Sequence, residues 1–165
     1  MANPTLGGFL DFITNVMQVP SSALNTSTSV YPQYAYDFAI NFINPNLSVV
    51  PNLGTGYGLF AFAVYNLAAD TLINMAQDAI GSPAYDIAGN DAGLPYWQYV
   101  RSLYGVNAFV PGVVQSTSDE GTSAGYLVPK QFENYTIANL QNLKTPYGRQ
   151  YLAIAGSWGS HWGLT

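Results

Sequence analysis

The longest helical pattern in the chain runs from Gly58 to Ile80 and contains no proline. Its apolar residues recur three or four positions apart and cover most of the helix circumference, as Phe60, Val64 and Leu67 illustrate. The polar side chains form one narrow seam: Asn66, Asp70, Asn74, Gln77 and Asp78. A helix that is apolar on most of its surface is typical of a buried element. The pattern predicts a central buried helix over about 58–80, with its polar seam towards water or a partner.

Two helices are predicted before this central one. Asn3-Pro4 combines a capping residue with a proline suited to the first helical position, so it predicts a helix start. The apolar stripe that follows consists of Leu6, Phe9, Leu10, Ile13, Val16 and Met17. The second helix is predicted from Pro32 to Ile43 and ends before Pro45. Its predicted buried side consists of Tyr31, Tyr34, Ala35, Phe38, Phe42 and Ile43.

Three further helices are predicted after the central one. Residues 94–104 form a short helix opened by Pro95, with its aromatic residues in the core. Residues 136–144 form another short helix, and Thr145-Pro146 then starts the last helix with a cap and a first-turn proline. Residues 156–165 read as a glycine-broken, aromatic C-terminal tail without Asp, Glu, Lys or Arg.

The periodicity changes between residues 109 and 128. Residues 109–115 and 125–128 look extended, and the polar segment 116–124 between them reads as a tip. This pattern predicts a long β-hairpin projecting from a helical body, with Pro111 restricting its strand to a sheet edge. A disordered surface loop is an equal alternative on the residues alone. A hairpin with unpaired edges could add a strand to a neighbouring copy.

Composition favours a single domain of 165 residues that is covered by partners. Hydrophobic residues make up 48% of the chain, which is enough for a core, whereas charged residues make up only 8%. An average globular domain has about 25% charged residues. The chain also contains 13 tyrosines, and tyrosine is enriched at interfaces. The interface interpretation is therefore favoured over a protein that is merely poor in charge.

The few cations argue against high-affinity nucleic-acid binding, and the apolar pattern argues against a membrane span. The net charge is −5 with four Lys or Arg, whereas tight binding to a phosphate backbone needs several cationic contacts. We find no signal peptide pattern, and no run approaches the roughly 20 apolar residues of a membrane span. The absence of cysteine excludes disulfides and thiolate metal sites.

The residue types needed for catalysis do not form a recognisable pattern. The only histidine is His161 in the tail, which leaves a catalytic triad without a well-placed base and a zinc site with too few ligands. Asp119-Glu120 could be an acid pair, but adjacent acids on a polar tip are more often solvated. Asp70 could titrate abnormally, and a structural hydrogen bond to Asn66 or Asn74 is the favoured account. We expect no enzyme activity, no metal and no cofactor.

Two stretches together resemble the head-to-tail connector proteins of tailed bacteriophages, of the adaptor type. One is Gly112-Val113-Val114-Gln115 with its polar tip and Tyr126-Leu127-Val128, and the other is the TPYGRQYLA segment that begins at Thr145. The opening PTLGGFLDFI and the central YNLAADTLINMAQD are similar to the same group. The resemblance extends from about Leu6 to Leu152. It implies a helical bundle, a long hairpin after the main helices and a last helix opened by a T-x-Y-G-like motif.

The resemblance also implies a function in the virion. Copies would form a ring that matches the twelvefold symmetry of the portal, receives a tail or neck protein below, and passes double-stranded DNA without specific binding. The arm residues that would clasp the adjacent subunit are Val113, Val114, Gln115, Tyr126, Leu127 and Val128. The tail residues that would dock on the portal are Trp158, His161, Trp162 and Leu164. The protein would be made in the bacterial cytoplasm and reside at the head–tail interface. A capsid decoration or tail-completion protein is the alternative, and a carboxylate-based hydrolase is a more distant one.

Overall fold

The computed structural model describes residues 3–24, 30–44, 58–78, 84–85, 93–108, 116–119, 122–125 and 136–158. The helices in these ranges are α1 (Leu6–Asn15), α2 (Val30–Phe42), α3 (Leu59–Met75), α4 (Tyr96–Leu103), α5 (Ile137–Gln141) and α6 (Pro146–Trp158). Short 3₁₀ turns lie at Ser21–Leu24, Val106–Ala108 and Asn142–Lys144. The strands are β1 (Ala84–Tyr85), β2 (Leu94–Pro95), β3 (Ser116–Asp119) and β4 (Thr122–Gly125). The described chain is mainly helical, which confirms the mainly helical part of the predicted fold class.

Helix α3 is buried along most of its length, with twelve of its 17 residues shielded from solvent. It packs most extensively against α2 and α6, and it also contacts α1 and α4. Arg101 of α4 donates hydrogen bonds to the carbonyl oxygens of Ile73 and Ala76. These bonds satisfy carbonyl groups that the end of a helix leaves without intrahelical partners, and α3 ends here rather than at residue 80.

The polar seam of α3 does not face water throughout. Asn66 and Asp70 are buried, at 2% and 3% exposure, whereas Asn74 and Gln77 are exposed. The start of α6 covers Asp70, and Asn66 donates its side-chain amide to the carbonyl oxygen of Phe62. The seam is therefore partly an internal polar contact of the fold.

Helix α1 begins two residues later than Asn3-Pro4 predicts. Thr5 is its N-cap, and the Thr5 hydroxyl accepts a hydrogen bond from the Gly8 amide at 3.0 Å. Pro4 lies outside the helix, where its carbonyl oxygen accepts from the Tyr36 hydroxyl at 2.8 Å. Long-range hydrogen bonds to tyrosine side chains thus hold the chain at Pro4 and Thr5. A capping pattern depends on neighbouring residues only and does not predict such bonds.

Helix α2 packs through a face that matches the predicted one only in part, since Ala35 and Ile43 are buried as predicted. Its buried residues are Pro32, Ala35, Tyr36 and Ala39, followed by Ile43 just beyond the helix. Tyr34, Phe38 and Phe42 were predicted to be buried and are exposed instead. The small side chains of Ala35 and Ala39 allow α2 to approach the alanine-rich α3 closely, since the distance between packed helices depends on the side chains at the contact.

The strand pair β3–β4 lies within the segment predicted as the polar tip. Ser116 pairs with Gly125, Thr117 with Ala124 and Asp119 with Thr122, in an antiparallel register. The observed pairing therefore lies mostly within the predicted tip, where Thr117 and Thr122 supply residues of high β-propensity. Residues 109–115 and 126–128, predicted as the strands of a longer hairpin, lie outside the described ranges.

Helix α6 begins where Thr145-Pro146 predicts. The Thr145 hydroxyl accepts from the Gly148 amide at 3.0 Å, and the Arg149 amide donates to the Thr145 carbonyl at 3.1 Å. Before it, residues 136–144 divide into α5 and a 3₁₀ turn rather than forming one helix. At its other end α6 continues to Trp158, so residues 156–158 belong to the helix and not to the tail. Ile154 and Ala155 are buried and pack the last turns of α6 onto the core. This packing offsets the loss of helix stability that glycine causes at position 156.

Candidate interaction surface

The exposed side of α2 carries a continuous apolar row made of Val30, Tyr34, Phe38 and Phe42. The four residues follow one another at intervals of four, so their side chains lie next to each other along the helix. Their exposed fractions are 50%, 61%, 51% and 46%. At 1.5 Å per residue the row is about 18 Å long.

Aromatic stacking and neighbouring hydrogen bonds order this row. The rings of Phe38 and Phe42 stack with centroids 5.5 Å apart. Beside them, the Gln33 side-chain amide donates to both carboxylate oxygens of Asp37 at 2.8 and 2.9 Å, and Asn41 donates to the Asp37 carbonyl oxygen at 2.7 Å. The polar side chains are thus engaged along their own flank of α2. They leave an apolar surface with one acidic edge.

A shallow groove follows the row. It has a volume of about 490 Å³ and is lined by Tyr34, Asp37, Phe38, Asn41 and Phe42. Contiguous apolar surface of this kind marks interaction sites more often than isolated exposed residues do. In a protein with only 8% charged residues, the row is the part of the described surface best suited to binding another apolar surface.

The buried Asp70 is a second polar feature, but it is an internal one. The Thr145 hydroxyl donates to Asp70 Oδ1 at 2.5 Å and in turn accepts from the Gly148 amide. Burial raises the pKa of Asp70 to about 6, while Thr145 and the nearby Lys144 act in the opposite direction. The main side-chain partner is therefore Thr145. Asn74, which donates to the Asp70 backbone carbonyl at 2.8 Å, lowers the pKa to a smaller extent, and Asn66 donates to Phe62 instead. The arrangement can bind and release a proton while it holds α3 to the start of α6.

Asp78 and Arg101 form a structural junction between α3 and α4. The Asp78 carboxylate accepts from the amides of Trp97 at 2.9 Å and Gln98 at 3.1 Å, where a negative charge favours a helix start. Burial lowers the pKa of Arg101, and the neighbouring Asp78 opposes this shift. A polar groove of about 460 Å³ lies beside this junction, lined by Asn74, Met75, Gln77, Arg101, Val106, Asn107 and Lys144. Asp78 and Arg101 both have hydrogen-bond partners within the chain. The junction therefore contributes to helix packing and is not proposed as a ligand-binding site.

The predicted site residues fall mostly outside the described ranges. Of the tail, only Trp158 is included, as the last residue of α6. His161, Trp162 and Leu164 lie beyond the described part of the chain. So do all the predicted arm residues: Val113, Val114, Gln115, Tyr126, Leu127 and Val128. Asp119 ends β3, while its predicted acidic partner Glu120 also lies outside the description.

The apolar row was missed because α2 carries apolar residues on two sides. The signal that could have identified it is the placement of Ala35 and Ala39. These alanines mark the side that allows close helix packing and leave the larger aromatic residues of α2 to face outwards.

Within the described ranges, no three His, Asp or Glu side chains gather into a possible metal site. In those ranges, no helix combines the length and apolar character needed to cross a membrane. Comparisons with protein-family models, curated proteins and solved structures found no match to this chain.

Proposed function

We propose that this protein is a structural component of a tailed-phage virion, namely a head-to-tail connector of the adaptor type. Copies would form a ring between the portal and the tail or neck proteins, and the ring would line the DNA channel. The observation that carries the proposal is the apolar row of α2, exposed in a chain with few charges. Such a surface is suited to an assembly in which neighbours cover it.

The order of elements supports the same proposal. A helical body comes first, the β3–β4 pair lies between α4 and α5, and the last helix opens with Thr145-Pro146-Tyr147-Gly148. We propose that the helices form a bundle organised on α3. The longer hairpin over 109–128 would project from it and clasp an adjacent subunit.

The charges of the chain suit a channel that DNA passes without sticking. Of its four Lys or Arg residues, Arg101 donates to carbonyl oxygens at the end of α3. Arg149 donates to the carbonyl oxygen of Leu143 at 3.1 Å. Few cations are therefore available for phosphate groups, and a low positive charge gives weak adhesion to duplex DNA. We propose no catalytic role, since Asp70 is enclosed and its neighbour Thr145 is committed to capping α6.

The copy number in purified particles tests this function. Quantitative mass spectrometry against the major capsid protein should give a low number equal to that of the portal. A number comparable to the capsid protein would instead support the alternative of a decoration protein. Absence from the particle would contradict a structural role in the virion and would revive the hydrolase alternative.

Removal of residues 159–165 should abolish portal binding without unfolding the protein. The truncation leaves α6 complete to Trp158, so the thermal midpoint should stay close to that of the full chain. The lost residues include Trp162 and Leu164, which we propose as portal anchors because buried tryptophan often dominates an interface. Binding to purified portal by interferometry is the measurement, with Ser160→Ala in the full chain as the control. Unchanged affinity of the truncated protein would show that the anchors lie elsewhere.

A further inference from the structure

We propose that the apolar row of α2 is the receiving surface for residues 109–115 of a second copy of this chain. The inference rests on the proposed function, in which an arm reaches a neighbouring subunit. It adds the surface on which that arm would dock.

The chemistry of the row restricts what can cover it. The four side chains are uncharged, and the nearest charge at the edge is the carboxylate of Asp37. Nucleic acid and anionic lipid surfaces are negative and require cations, so neither matches this edge. An uncharged apolar segment is the complementary partner.

The row could also pair with the same row of another copy, but its charge argues against this. In an antiparallel pair of α2 helices centred between Tyr34 and Phe38, both Asp37 side chains would lie near the two-fold axis. Like charges at such a position are unfavourable, and each carboxylate would lose solvent. Contact with a different segment of the second copy avoids this cost.

The segment 109–115 has the required composition and length. Its sequence is FVPGVVQ, which contains no charged residue, and it leads directly into β3 at Ser116. Seven residues in an extended conformation span about 23 Å, compared with about 18 Å for the row. The described strands consist of Ser, Thr, Asp, Ala and Gly, so apolar contact must come from the segments that flank them, including Tyr126, Leu127 and Val128.

We assign the occupant to a second copy because the proposed ring requires a contact between copies, and the described part of the chain leaves each residue of the row 46–61% exposed. Each copy would donate one segment and receive another. When a contact joins two different surfaces, it repeats from copy to copy, and the copies form a ring if the rotation between neighbouring subunits closes. The row would be the surface that receives the segment in each of these contacts.

Cysteine cross-linking tests this inference directly, because the chain contains no cysteine. The Phe38→Cys and Val114→Cys variants are prepared as separate proteins. They are then mixed and treated with a short bifunctional maleimide. We expect a cross-link between the two different chains, identified by mass spectrometry of isotope-labelled and unlabelled protein. Leu103→Cys mixed with Val114→Cys is the matched control, since Leu103 is 57% exposed but lies on α4. This control should give at least tenfold less product.

Three other outcomes would overturn the inference, and a fourth would separate it from the connector function. If a chain that carries both substitutions were cross-linked only within itself, the segment would cover its own α2. A product joining two Phe38→Cys chains would show that the rows pair with each other. If the copies assembled but the Phe38→Cys and Val114→Cys chains were not cross-linked, the contact between copies would lie elsewhere. The connector proposal would not be contradicted by this result. If the cross-link formed but the protein were absent from purified particles, the contact between copies would be supported and the connector function would be contradicted.

A second measurement does not depend on cross-linking chemistry. Phe38→Ser with Phe42→Ser should weaken self-association at least tenfold by sedimentation velocity, while the thermal midpoint stays close to wild type because both side chains are exposed. Unchanged self-association of this variant would contradict the inference.

Discussion

Replacing Gly148 by alanine should destabilise the protein by about 3 kcal/mol or more. An added Cβ would collide with the backbone carbonyl oxygen of Asn142 and come within 2.7 Å of Asp70 Oδ1. The Asn142 carbonyl belongs to the backbone of a 3₁₀ turn and cannot move aside like the end of a flexible side chain. The Gly148 amide also donates to the Thr145 hydroxyl that caps α6. Any backbone shift that removes the collision would therefore disturb the start of α6.

Gly156→Ala in the same helix is the matched control. Among the described residues, no atom lies within 4 Å of a Cβ added at this position. Because alanine favours a helix over glycine, the control should be neutral or more stable by about 0.5–1 kcal/mol. Denaturant unfolding of both variants gives the comparison. An equal loss of stability in the two variants would show that the close approach at Gly148 is not the cause.

Asp70 should make the protein more stable as the pH falls from 7 towards 4. Burial raises its pKa in the folded state from an ordinary value of 3.8 to about 6. Between these values the folded state binds the proton and the unfolded state releases it, so acid favours folding. The contribution is fully present below about pH 4 and is lost as the pH rises through about 6. At about 1.4 kcal/mol per pKa unit, it amounts to about 3 kcal/mol.

Asp70→Asn is the variant that isolates this contribution. The asparagine carbonyl can still accept from Thr145, while the titrating group is gone. The free energy of unfolding, measured in denaturant between pH 4 and 7, should therefore show a flatter pH profile in the variant than in the wild type. Asp11→Asn, which removes an exposed carboxylate on α1, is the control and should retain the wild-type profile. Identical profiles for Asp70→Asn and wild type would contradict a buried, proton-binding Asp70.

Local sequence patterns predicted the positions of most helices. The apolar periodicity of residues 59–75 and the Thr145-Pro146 start both correspond to helices in the structure. Such patterns act within a few residues, where backbone hydrogen bonds and capping decide the conformation. Errors appeared where distant groups intervened. The start of α1 depends on Tyr36 and Tyr65, and the end of α3 depends on Arg101, 25 residues beyond Ala76.

The candidate site was less predictable than the fold. The resemblance predicted functional residues in the arm and the tail, and most of these residues lie outside the described ranges. The exposed row on α2 emerged only from the structure. A helix with apolar residues on two sides has two possible buried faces, and its periodicity cannot choose between them.

Composition and short-range patterns are sufficient to predict a mainly helical chain that is poor in charge and rich in tyrosine, because these properties depend on residue types and on neighbours a few positions apart. Helix packing, in contrast, sets which side of α2 is buried and which side chain is the partner of Asp70. The Asp70–Thr145 hydrogen bond joins residues 75 positions apart. Ala35 and Ala39 let α2 lie close to α3 and thereby left Tyr34, Phe38 and Phe42 exposed. Both outcomes depend on how the helices pack, and packing brings together residues whose proximity no local pattern specifies.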